Sequence, residues 1–153
     1  VPLQPVTVSP HARARARRYA MQALYQWDLS GTALHDIRNQ FLESEDFSKT
    51  DKDYFIDLFN NVTKNIESID NNITKFIDRP LPQLDPVERA ILRIALYELV
   101  HRLEIPYRVV INEAVQLTKK FGAEQGHAFV NGVLDKAAHA LRTVEYDRHA
   151  SRA

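Results

Sequence analysis

Four arginines crowd into six positions, Arg13, Arg15, Arg17 and Arg18, at the head of the stretch HARARARRYAMQALYQW. A guanidinium is a planar, permanently charged fork that grips a phosphate in two places, so the chemistry on offer is anion capture and not bond making. With about 3.6 residues per turn, Ala16, Ala20, Ala23, Leu24 and Trp27 form one apolar stripe. Arg15, Arg18, Gln22, Tyr25 and Gln26 fall on the opposite side, and Arg13 and Arg17 flank the stripe. Guanidinium, amide and phenol groups on one face are the set that contacts phosphate oxygens and stacks on exposed bases. The plain alternative is a solvated helix face, which any surface helix needs. Four arginines near a helix N-terminus oppose the macrodipole and repel one another. Local stability therefore accounts for them less well, by ~0.2–0.5 kcal/mol per pair.

The chain has 153 residues and no net charge, but the charge is zoned. Residues 11–27 hold four arginines and no acid, 28–78 five basic against eleven acidic residues, and 79–153 eleven against nine. A local basic footprint is thus available without an overall basic character. Other chemistries lack their residues. With no cysteine, disulfides, thiolate catalysis and cysteine-ligated metals are excluded. The six histidines, at 11, 35, 101, 127, 139 and 149, never take a ligand spacing beside an acid, so no metal is expected. A phosphate loop, a nucleophile elbow and an HExxH motif are all absent, so neither a cofactor nor a catalytic residue is expected. No apolar run approaches the ~20 residues that span a bilayer, and a cytoplasmic location away from membranes is the expectation.

The elements that must position the arginines are helices, because apolar residues recur at three and four throughout. The expected fold is all-α, a compact bundle of about seven helices. Helix one covers about 11–28, between Pro10 and Ser30-Gly31, and helix two 33–42. ESEDFSKTDKD reads as a polar connection ending in a capping box, Thr50 with Asp53. Tyr54, Phe55, Leu58, Phe59 and Val62 start a stripe that Ile66, Ile69, Ile73, Phe76 and Ile77 continue, with a break near Ser68. DRPLPQLDP is a loop, since Pro80 and Pro82 cannot sit inside a helix. Asp85, Pro86 and Glu88 then read as N-cap, first residue and reciprocal carboxylate of a central, apolar helix. Tyr107 to Phe121, stopped by Gly122, and a final helix ending near Leu141 complete the set. The expected organisation is a loose arm over 1–10, a domain over 11–145 with subdomains at about 11–78 and 84–142, and a tail over 146–153.

Four segments carry a resemblance: RRYAMQALYQW at 17–27, DPVERAILRIALYEL at 85–99, IPYRVVINEAVQLTKKFG at 105–122 and FVNGVLDKAA at 129–138. The chain resembles the NusB family of bacterial transcription antitermination factors from about Arg13 to Leu141. The resemblance implies two small helical bundles and a heterodimer with NusE, a small-subunit ribosomal protein. It implies binding of the single-stranded boxA segment of nascent RNA. With NusA, NusG and RNA polymerase, that pair suppresses termination, chiefly in ribosomal RNA operons, and no bond is made or broken. Similar domains also precede ribosomal RNA cytosine methyltransferases; these residues hold no methyl-donor glycine loop, so the free-standing factor is expected. The alternative is a helical interaction module or homodimer with little direct RNA binding.

By the same resemblance, Arg17, Tyr25, Phe76 and Phe129 match RNA-facing positions and Glu88 matches a NusE-facing one. With the outward face of helix one, this makes the candidate RNA-binding set Arg13, Arg15, Arg17, Arg18, Gln22, Tyr25, Phe76 and Phe129. Phe129 also lies on the apolar stripe of the last helix, and Glu88 also has the capping role. The chain departs from the family pattern at Gln125, where an acid is common, and at Ala128, where a lysine is frequent.

Overall fold

The computed structural model describes residues 9–151, so most of the expected N-terminal arm lies outside the described residues. Eight α-helices follow in order: α1 Pro10–Ser30, α2 Leu34–Ser44, α3 Lys52–Lys64, α4 Ile66–Thr74, α5 Pro86–His101, α6 Tyr107–Phe121, α7 Gly126–Leu141 and α8 Thr143–Ala150. The all-α expectation is met, with a short 3-10 turn at Leu81–Gln83 in the proline loop. Backbone proximity divides the chain between Phe59 and Asn60, inside α3. The sequence alone suggests a division at the proline loop instead.

In the first unit Ser9 caps α1, its hydroxyl accepting the Ala12 N–H at 3.1 Å. Gly31 closes the helix in the left-handed region (φ 67), where a side chain is strained. Ala16, Ala20, Ala23 and Leu24 are fully buried as expected, whereas Trp27 is only half-buried. Phe47, inside the supposedly polar connection, packs between Tyr19 and Phe55 at ring distances of 5.3 and 5.4 Å. The expected Thr50–Asp53 capping box is absent. Asp51 caps α3 instead, its carboxylate accepting the Tyr54 N–H at 3.0 Å. Its own N–H donates to the Ala12 carbonyl at 3.0 Å, which leaves this residue, and not Thr50, at the mouth of α3.

The second unit is built around α5, buried continuously from Glu88 to Leu99. Asp85 caps it, accepting the N–H groups of Val87 (2.9 Å) and Glu88 (3.1 Å). Three arginines, unremarked by periodicity, tie the surroundings to this helix. Arg93 holds Asp70 of α4 through two bonds of 2.9 Å. Arg89 points back at the proline loop, donating to the carbonyls of Leu81, Pro82 and Leu84 at 3.2–3.4 Å. Arg142 uses all five of its N–H donors: Nε on Leu99 O, Nη1 on Ile105 O and Glu145 Oε2, Nη2 on Glu98 O and Arg102 O, at 2.7–3.1 Å. The last carbonyls of a helix have no partner within it and carry partial negative charge, so Arg142 caps the end of α5.

Glu145 completes that joint. One of its oxygens holds Arg142, and the other accepts the N–H of Tyr107, the first residue of α6, at 2.9 Å. Residues 143–150 are accordingly helical where the sequence alone suggests a tail from 146, and Tyr146 anchors α8 by donating to Asp135 at 3.0 Å. Replacing Arg142 by Met should lower unfolding stability by about 3 kcal/mol or more, since the carbonyls of Leu99 and Ile105 lose their donor and Glu145 its cation. Urea denaturation checks this: the midpoint should fall with an unchanged m-value, and Arg142→Lys should recover only part of the deficit.

Candidate nucleic-acid interface

The four N-terminal arginines separate into two pairs. Arg13 and Arg17, one turn apart, both lie over the Tyr54 ring of α3, at 4.5 and 5.5 Å. Arg13 also has Nε 3.8 Å from the Asp51 carboxylate. Arg17 is 3% exposed, so the position expected to flank the core and face outward lies inside. The physical reason is the width of the buried arc of α1, in which Arg17, Met21 and Leu24 are buried along with the alanine stripe. Arg15 and Arg18 remain on the outside, Arg15 exposed and Arg18 half-buried with its guanidinium 5.2 Å from the Tyr19 ring. Arg15 makes one long bond, to the Lys49 carbonyl at 3.4 Å.

Gln22 and Tyr25 continue the same face toward the end of α1. Gln22 is half-buried and Tyr25 is 38% exposed, and with Gln26, Leu29 and Phe41 they line a shallow, mainly apolar depression. Arg15, Arg18, Gln22 and Tyr25 thus form a ridge of cations leading to a phenol on the rim of an apolar hollow. Such a ridge can hold phosphates along its length and a base ring at its end.

Phe76 and Phe129 belong to the second unit and both are half-buried. On α7 it is Val130 that turns inward. Phe129 is covered on one face by Arg79, whose guanidinium carbon is 4.6 Å from the ring centre. Sequence reasoning passes over Arg79 because it stands in a proline loop, where helical periodicity says nothing about neighbours.

Glu88, matched by resemblance to a partner-facing position, is 6% exposed. Its carboxylate lies against Gly126, where an added Cβ would come within 2.9 Å of it, and feels the backbone N–H of Ala123. The carboxylate therefore braces the loop between α6 and α7 and does not close the capping box expected of it. Gly122 ends α6 in extended backbone (ψ 178), and the left-handed residue of this loop is Gln125, φ 66. Burial, then the negative charge of Asp85, push the Glu88 carboxyl above its ordinary range, against the pull of Ala123 N–H and Arg79. No group of three or more metal-binding side chains occurs among the described residues, nor a helix long and apolar enough to cross a membrane.

A family model described as NusB family matches residues 14–139. The transcription antitermination protein NusB of Alcanivorax borkumensis is 48% identical over 144 residues, covering 94% of this chain and 96% of that protein. The chain belongs to the NusB family. Its members are RNA-binding transcription antitermination factors, not enzymes. NusB of Idiomarina loihiensis is 49% identical over 135 residues, covering 88% of this chain and 97% of its own. A crystal structure of antitermination factors NusB and NusE in complex with dsRNA contains a chain with TM-score 0.76 and 32% identity, covering 86% of this chain and 99% of that one.

The brace carries a pH dependence with a defined sign. A carboxyl raised in the folded state binds its proton more tightly there than in the unfolded chain. Wild-type stability should therefore decline as pH rises from the ordinary glutamate range through the raised folded value. Glu88→Gln keeps an oxygen for the Ala123 N–H and removes the charge, so that decline should flatten. Chemical denaturation between pH 4 and 8 checks it: an equally steep decline in both proteins would assign the dependence to other groups.

Proposed function

We propose that this NusB-family chain pairs with NusE, binds the boxA segment of nascent RNA, and with NusA, NusG and RNA polymerase suppresses termination, chiefly in ribosomal RNA operons. The observation that carries the reading is the outward ridge of α1, where Arg15, Arg18, Gln22 and Tyr25 combine phosphate-gripping and stacking groups on one face. The structural relative found with NusE and dsRNA supports the partner classes. Arg15 and Arg18 act on phosphates, Gln22 and Tyr25 on a base, and Phe76 and Phe129 add stacking surface. Arg13 and Arg17 act one step back, holding α1 to α3 through Tyr54. A single short basic ridge can neutralise few phosphates, so NusE is needed for tight binding. Glu88 reaches NusE through the α6–α7 loop that it braces.

Fluorescence anisotropy at fixed salt, with and without NusE, should show the heterodimer preferring boxA over a scrambled RNA of equal length. Equal binding of both sequences would sink the specificity claim. Replacing Arg15 and Arg18 together by Gln should weaken boxA binding and reduce the slope of log K against log salt by about 0.7 for each phosphate no longer neutralised. NusE binding should survive in that variant. An unchanged slope and affinity would move the RNA to another surface.

A further inference from the structure

We infer that Arg79 and Phe129 form one composite RNA-contacting element, in which the guanidinium stacked on the ring grips a backbone phosphate and presents its outer plane to a base. This rests on the RNA-binding reading above and adds a residue to it.

Arg79 follows α4 and Phe129 lies in the first turn of α7, so residues far apart in the chain meet at 4.6 Å. A guanidinium over an aromatic face is attracted by the ring quadrupole, and its planar shape allows it to stack there. Asp78 fixes its edge, Arg79 Nε donating to Asp78 Oδ1 at 3.0 Å. An ion pair that exposed binds weakly in water, and the side chain of Arg79 stays 46% exposed. Its two terminal nitrogens make no hydrogen bond to any described residue, which leaves four N–H donors for a ligand. The aromatic supplies one layer, the guanidinium a second, and a base can supply the third, as stacking on arginine planes allows for any base.

The neighbouring charges give the element its local purpose. Ala128, beside Phe129, is exposed and uncharged. Arg79 brings a cation to this corner from a different segment. Asp78 and Glu88 are two acids that feel Arg79. Glu88 is buried against the α6–α7 loop, whereas Asp78 is exposed and holds Arg79 Nε, so an RNA phosphate must displace or share it.

The test uses the full chain with NusE and boxA RNA, titrated by anisotropy over a range of salt. Arg79→Gln should weaken binding about five- to tenfold and lower the log K–log salt slope by about 0.7, with the melting temperature unchanged. Arg79→Lys should restore the slope but only part of the affinity, because an ammonium does not stack as a plane. Combining Arg79→Gln with Phe129→Leu should cost less than the two single effects together, as expected for groups acting as one unit. Wild-type affinity and slope in Arg79→Gln would overturn the inference while leaving boxA binding intact. Full rescue by Lys, or strict additivity with Phe129→Leu, would overturn the composite element. Failure of the wild-type heterodimer to prefer boxA over scrambled RNA would instead overturn the functional reading itself.

Discussion

The guanidinium of Arg142 is the constraint on which the second unit turns. Helices α5 and α6 meet at a corner where one helix ends in unpaired carbonyls and the next begins with unpaired N–H groups, dipole ends of opposite sign. Arg142 and Glu145 answer both ends with one ion pair: the cation on the carbonyls of α5, the carboxylate on the first N–H of α6. Burying such a charge is costly unless every donor is satisfied, and here all five are. With the corner closed, α6 and α7 can pack on the apolar length of α5, and the loop between them is carried to Glu88.

Other charged residues of this protein are interior for comparable reasons. Arg89, Arg93 and Arg142 hold a loop, a neighbouring helix and a helix end respectively, and Arg17 is buried on the flank of α1. Arginine suits such posts because its fork serves several acceptors at fixed angles. The cations assigned to RNA in the proposal above are ones whose local partners are weak. Arg15 has a single long bond to a carbonyl, Arg18 an aromatic face, and Arg79 an exposed neighbouring acid. The zero net charge of the chain is compatible with RNA binding for this reason, since the sorting is local.

Much of the architecture is legible in the sequence because it depends on local rules. Asp85-Pro86 announces the start of α5, the near absence of charge from Ala90 to Val100 announces its burial, and Pro80 and Pro82 enforce the loop before it. The outward direction of Arg15, Arg18, Gln22 and Tyr25 follows from helical spacing alone. Thr50 and Asp51 show where such rules stop: both are acceptable caps, and a backbone bond to Ala12, 39 positions away along the chain from Asp51, selects the second.

The sequence by itself determined seven of the helices, their order, the ridge of α1 and a family resemblance, since each depends on spacing within a short segment. Tertiary structure alone decided that Arg17 is inside, that Glu88 braces a loop, that residues 143–150 form α8, and that Arg79 lies on Phe129. In each of these cases the deciding partner comes from another segment. A side chain's neighbours across the fold, and with them its burial and free donors, are set only when distant elements pack.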